Sequence, residues 1–293
     1  MRNLYKFLRQ GNFSIQTSAR NTVTLAYNRY GSSQDRETNP LVIGHGLFGQ
    51  KQNWHSVSRA LQKRLQNQIF AVDFRNHGDS PHTSTHKYPE MADDLAEFIE
   101  KVVIPESGYE TVHLLGHSMG GKIASVFAVD PTLQRKLASL IIEDVSPVHV
   151  SKNSSFRKYV QAKKNADLSK SRKEIGDQLA HAVPDKPTRD FLLTNLVYDE
   201  SKPGHMSWKI NLDTLDKELD HVLEFGLTKG SFSGRTLFIS GQNSNYITEK
   251  DHSEILKFFP TAKFQIIPKA GHWVHAEQPA LFIDAIVKFL LEK

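Results

Sequence analysis

Short apolar runs recur along this chain, separated by stretches in which apolar residues return every three or four positions. Residues 22–29 predict an early strand, and Leu41, Val42 and Ile43 predict a buried one running into His45 and Gly46. The pattern continues with a strand at 69–72, a turn through Asn76, His77, Gly78, Asp79, Ser80 and Pro81, and a helix over 89–103. An apolar, β-branched run at 111–115 ends at Gly116, a helix over 120–129 stops at Pro131, and residues 140–142 supply another buried strand. Strands alternating with helices are the pattern of a mostly parallel sheet flanked by helices.

From 151 to about 227 the pattern changes. This segment is polar and lysine-rich, with Phe191, Leu192, Leu193, Leu196 and Val197 at helical spacing and no convincing strand. It reads as a helical cap inserted into the order of the sheet, which resumes at 236–240 and 263–267 and closes with an amphipathic helix over 279–291. A length of 293 residues suits one domain carrying such an insertion, here residues 21–293.

Composition narrows the chemistry. With no cysteine, the chain has no disulfide scaffold, no thiolate zinc site and no thiol nucleophile. No run of about eighteen apolar residues is present, so no integral membrane association is expected. The net charge of +5 is concentrated at one end: Arg2, Lys6, Arg9, Arg20 and Arg29 all precede the first acidic residue, Asp35. Removing those five leaves 32 basic residues against 32 acidic ones, so the body is neutral and nucleic acid is not an expected partner. Residues 1–20 are basic, hydroxyl-bearing and free of acid, the composition of a mitochondrial transit peptide with a cleavage point near residues 19–21.

The strongest motif is Gly116-His117-Ser118-Met119-Gly120, a G-x-S-x-G lying after a buried strand and before a helix. A serine on so sharp a turn has a crowded backbone, so small residues must stand two positions away on each side. The following helix aims its positive end at a developing oxyanion. Ser118 is therefore the candidate nucleophile. A hydroxyl needs a neighbouring imidazole to take its proton, and His272, after the last strand and before the last helix, is the candidate base. His275 is three residues on, but the pair lacks the glutamate and third ligand of an H-E-x-x-H site, so no metal and no cofactor is expected.

The acid leaves two candidates. The segment Gly241-Gln242-Asn243-Ser244-Asn245 offers no carboxylate. Asp144, at the end of the strand after the nucleophile's helix, is favoured; its neighbour Glu143 should point to the opposite face. Asp213 competes, although it also reads as a helix N-cap. For the oxyanion, the glycine turn His45-Gly46-Leu47-Phe48-Gly49 and the elbow offer the backbone N–H groups of Leu47 and Met119. The charges of residues 73–80, including Arg75, His77 and Asp79, read as structural. Phe48, Trp54 and Trp273 suit either an apolar acyl pocket or plain core packing.

Taken together, His45 to Gly49, residues 73–80, Gly116 to Lys122, Asp144-Val145-Ser146-Pro147 and Gly271-His272-Trp273 resemble one branch of the α/β-hydrolases. That branch includes mitochondrial α/β-hydrolase domain 11 type proteins, small bacterial esterases and fungal ethanol acetyltransferases. The resemblance runs from about residue 41 to the C-terminus, includes the cap segments 191–196 and 208–213, and supports Asp144. It implies hydrolysis of short-chain esters or thioesters through an acyl-enzyme, with acyl transfer from acetyl-CoA to ethanol as the alternative. A hydrolase fold serving only as a catalytically silent binding module is the third reading.

Overall fold

The computed structural model describes residues 21–32, 34–35, 37–148 and 155–292. The leader expected over 1–20 lies outside them. Seven strands form the central sheet: β1 (Tyr27–Tyr30), β2 (Leu41–Gly44), β3 (Ile69–Val72), β4 (Val112–His117), β5 (Leu137–Glu143), β8 (Thr236–Gly241) and β9 (Ala262–Ile267). Strands β6 (Leu196–Tyr198) and β7 (Met206–Trp208) form a separate antiparallel hairpin. The helices are α1 (His55–Leu65), α2 (Tyr88–Phe98), α3 (Ile104–Ser107), α4 (Met119–Val129), α5 (Ser155–Asn165), α6 (Arg172–Leu179), α7 (Lys186–Leu193), α8 (Leu212–Leu223), α9 (Glu249–Phe258), α10 (Val274–Glu277) and α11 (Pro279–Leu291).

The sheet order is β1-β3-β2-β4-β5-β8-β9, parallel throughout except for the edge strand β1, which runs antiparallel to β3. Alternation along each strand sends side chains to two separate cores. Leu41, Ile43, Ile69, Ala71, Leu115, Ile141, Leu237 and Ile239 pack with α1 and α11; Val42, Phe70, Val72, Leu114, Leu140, Ile142 and Phe238 pack with α2 and α4. Because both faces are covered, the inner strands are apolar at successive positions rather than alternating with polar ones.

The early strand is shorter than the pattern predicts. Over 22–26 the backbone donates to side chains instead of to a neighbouring strand: Val23 N–H to Asp94 Oδ1 (2.9 Å) and Ala26 N–H to Ser80 Oγ (2.8 Å). The excursion between β5 and β8 is pinched where Leu227 N–H donates to the Pro147 carbonyl at 2.8 Å. It is mostly helical, through α5 to α8, but the expectation of no strand is corrected by the β6–β7 hairpin, whose three-residue strands are too short to show an alternating pattern.

Arg75 confirms the structural reading of the 73–80 charges. Its side chain is only 2% exposed, and its guanidinium grips both oxygens of Asp94 (2.6 and 2.8 Å) and also reaches Glu90, Thr85 and the Asn21 carbonyl. Removing one member of a buried pair strands the other's charge. Asp94→Ala is therefore expected to lower the unfolding free energy by about 3–5 kcal/mol, which a urea melt would measure.

Candidate active site

The site is built at the carboxyl ends of the parallel strands. Pairing of Gly44 with Gly116, His117 with Glu143 and Glu143 with Ile239 sets the ends of β2, β4, β5 and β8 level, so the loops that follow them meet on one rim. Ser118 forms the turn from β4 into α4 at φ 51° and ψ −116°, a conformation costly for a residue with a side chain. The glycines around it are required by contact. A Cβ on Gly116 would lie 2.2 Å from the Gly120 carbonyl oxygen, and one on Gly120 would lie 2.6 Å from that of Gly44.

His272 sits in the turn between β9 and α10, where its Nδ1 donates to Asp144 Oδ2 at 2.7 Å. Asp144 is fully buried, and its carboxylate also accepts from Gly241 N–H (3.1 Å) and the Ser244 hydroxyl. With its proton committed to Asp144, the His272 ring keeps Nε2 as a lone pair. The ring of Tyr246 stacks on it at 3.9 Å. Asp213 is elsewhere: it lies in the first turn of α8, is 89% exposed and pairs with Lys164 at 2.8 Å, while the N-cap of that helix is Asn211. Glu143, as expected, points away from Asp144 and accepts from both the backbone N–H (2.9 Å) and Nδ1 (2.7 Å) of His275.

Leu47 and Met119 flank Ser118. The Met119 N–H belongs to the first turn of α4, where no intrahelical acceptor exists. The Leu47 turn is braced by His77, read from the sequence as structural, and by two groups whose bracing role the sequence did not reveal, His45 and Asn195. Phe48, at φ 64°, donates its N–H to His77 Nε2 (3.2 Å), and its carbonyl accepts from Asn195 of the cap (2.6 Å). His45 Nε2 accepts from Phe74 N–H at 3.0 Å while its Nδ1 donates to the Gly46 carbonyl at 2.8 Å. Nothing local marks these roles. Each joins residues at least 29 positions apart or depends on the ring's tautomer.

Two cavities converge on Ser118. One of about 740 Å³ is lined by Tyr88, Met119, Lys122, Val145, Val222 and Leu223 and opens at 243–251; one of about 200 Å³ is lined by Phe48, Tyr159, Thr188, Phe191, Leu192 and Trp273. Leu47, Ser118, Phe156, Tyr246 and His272 line both. Phe48 and Trp273 thus face a cavity, whereas Trp54 stacks on His275 at 4.1 Å in the core beneath α1 and α11. Among the described residues, His117, Glu143 and His275 bring three ligand-type atoms within 4.8 Å of one another. Within this group His275 Nδ1 is directed at Glu143 and His117 Nε2 at the His272 carbonyl (3.0 Å), so the three residues are tied into a hydrogen-bond cluster.

A profile of the α/β-hydrolase fold matches residues 39–279. The chain belongs to that family. It is 40% identical over 258 residues to the mouse protein named sn-1-specific diacylglycerol lipase ABHD11, covering 85% of this chain and 80% of the mouse protein. It is 31% identical to esterase YbfF of Escherichia coli over 89% of this chain and 97% of that one, and 31% identical to a probable alcohol acetyltransferase of Saccharomyces cerevisiae over 86% and 77%. Among solved structures, a marine microorganism esterase superposes with a TM-score of 0.82 at 36% identity, covering 92% of this chain and all of the other. These likenesses support a hydrolase of the esterase and lipase class.

Burial dominates the electrostatics around the site. It pushes His86, His117 and His275 down to about 3 and His113 to about 4, and it lowers His45 and His77 as well. These rings are neutral when folded, whereas the unfolded chain binds protons below about pH 6.5. Their contribution to stability is complete above that pH and is lost as pH falls from 6.5 toward 3, with His86, His113, His117 and His275 each costing on the order of 1–2 kcal/mol by pH 5. Glu143, raised to about 7 by burial, acts in the opposite direction between about 4.5 and 7, but it is one group against several. A melting temperature measured at pH 5 should therefore fall well below that at pH 7.5.

Proposed function

We propose that this protein hydrolyses carboxylic esters or thioesters through an acyl-enzyme on Ser118, with His272 as general base and acid and Asp144 as its orienting partner. The observation that carries the reading is the 2.7 Å contact of His272 Nδ1 with the buried Asp144 carboxylate, which leaves the lone pair on Nε2 of a ring that lines both cavities with Ser118. Ser118 Oγ attacks the carbonyl as its proton passes to His272 Nε2. The N–H groups of Leu47 and Met119 hold the oxyanion. His272 returns the proton to the departing alcohol or thiol, and water then repeats the sequence to release the acid.

Two cavities suit the two arms of an ester. The apolar walls of the larger, Tyr88, Val145, Val222 and Leu223, accept substrates bigger than a simple acetate, in keeping with the lipase name of the mouse relative. Transfer of an acetyl group from acetyl-CoA to ethanol shares every step up to the acyl-enzyme and is the second reading, supported by the name of the yeast relative. The assembled serine, histidine and aspartate argue against a silent binding module. The acid-free leader over 1–20 supports mitochondrial delivery.

The deciding experiment gives purified wild type and Ser118→Ala either p-nitrophenyl acetate or acetyl-CoA, with and without ethanol, and follows nitrophenol, free thiol and ethyl acetate. Release of nitrophenol or thiol by the wild type alone, without ethyl acetate, is the expected result; ethyl acetate as the main product would move the assignment to an acetyltransferase. Equal turnover by Ser118→Ala would remove the mechanism. Asp144→Asn, which keeps the shape but inverts the tautomer preference of His272, is expected to lose about 10³–10⁴ in kcat.

A further inference from the structure

Behind the proposed triad stands a second set of buried polar residues, each a chain neighbour of a triad member. His117 precedes Ser118, Glu143 precedes Asp144, and His275 follows His272 by three residues. Glu143 and Asp144 are consecutive at the end of β5, so their side chains leave opposite sides of the chain, yet both grip the same loop. Asp144 holds the His272 ring, and Glu143 Oε1 takes two hydrogen bonds from His275. His117 Nε2 holds the carbonyl of His272 itself, 3.0 Å away. A carbonyl only accepts, so that nitrogen carries the ring proton. Glu277 closes the other side of the loop, accepting from the N–H groups of Gly271 (2.7 Å) and Trp273 (3.1 Å).

We propose that Glu143, His275 and His117 are positioning residues that fix the backbone of the 271–275 loop and thereby the placement of His272 over Ser118. The inference rests on His272 being the base. A core that only needed filling would use apolar side chains, since burying a carboxylate is costly. Here Glu143 is fully buried, and its second oxygen, Oε2, has no hydrogen-bond partner. What that cost secures is geometry. The two bonds from His275 fix the loop in both position and rotation, and the Trp54 ring stacked at 4.1 Å keeps the His275 ring from turning away. Misplacing a reacting group by about 1 Å can cost roughly 10²-fold in rate.

The arrangement also places a titratable group behind the base. Glu143 is faced by His117 from β4, by Asp144 from β5, and by His272 and His275 from the loop and α10. Burial raises Glu143 to about 7, so the anchor of the loop is itself a group that changes charge near neutral pH.

The test compares Glu143→Leu, Glu143→Gln and His117→Phe as full-length chains, measuring kcat and KM on p-nitrophenyl acetate. Glu143→Leu removes both acceptors, and kcat should fall about 10–100-fold with KM within twofold. Glu143→Gln keeps a side-chain carbonyl for His275, so kcat should stay within about threefold. A kcat lost in Glu143→Leu and recovered in Glu143→Gln, with KM unmoved in both, is a pattern that a purely structural lesion would not produce. His117→Phe releases the His272 carbonyl and should lower kcat even if Glu143→Leu fails to fold. A folded Glu143→Leu or His117→Phe with wild-type kcat, or a loss confined to KM, overturns the proposal. Failure of the serine mechanism would appear separately, as turnover by Ser118→Ala.

Discussion

At φ 51° and ψ −116°, Ser118 occupies a backbone region that costs of order 1–3 kcal/mol and persists only where its surroundings over-determine it. The surroundings here are backbone against backbone. Gly116 lies on Gly120, and Gly120 lies on the Gly44 and His45 carbonyls, at separations where any Cβ would collide. Because β2 and β4 pair in register at Gly44 and Gly116, the close approach that holds the serine also brings the 45–49 turn against the N-terminus of α4. Nucleophile and candidate oxyanion donors are thus fixed by one contact. Every other element of the site is arranged around that rim.

Burial then decides which groups carry charge. The rings of His45 and His77 are enclosed completely, and each spends one nitrogen accepting a backbone N–H and the other donating to a carbonyl. Such a ring is useful only while neutral, because protonation would turn its accepting nitrogen into a donor facing a donor. The bracing of the oxyanion turn is therefore linked to pH by the same hydrogen bonds that give it rigidity. The cap joins this bracing through Asn195, whose side-chain amide donates to the Phe48 carbonyl at 2.6 Å.

The sheet and the chemistry were legible where they depend on local pattern. Apolar runs at 41–43, 69–72 and 140–142 mark strands because both faces of the sheet are covered, and Gly116 and Gly120 mark the elbow because contact excludes a side chain. Asp144 could be read from its position at a strand end. What stayed hidden is long-range. Ser244 stands where no carboxylate was found, and it serves Asp144 instead of replacing it; Tyr246 backs the base from the same turn. Helices α1 and α9 and the β6–β7 hairpin escaped because α1 and α9 are dominated by polar residues and the hairpin strands span three residues each. His275, set aside as a metal ligand for want of partners nearby in sequence, finds its partner 132 residues away in Glu143.

Hydrolysis and acyl transfer differ only in what enters after the leaving group departs, so the choice belongs to the cavities rather than to the triad. The two meet at Leu47, Ser118, Phe156, Tyr246 and His272, which places any reacting carbonyl at their junction and sends its two arms into spaces of about 740 and 200 Å³. In the proposed mechanism, departure of the leaving group vacates one of these spaces beside His272. If the larger is vacated, the space left is lined in part by the polar, at least partly exposed residues Asn243, Ser244 and Asn245, together with His272. If the smaller is vacated, the walls of Phe48, Phe191 and Trp273 surround the entering group with aromatic surface. Under the proposed mechanism the partition between the two outcomes turns on which arm of the substrate each cavity holds, and the cap bears on it by contributing Phe156, Tyr159, Phe191 and Leu192 to the smaller one.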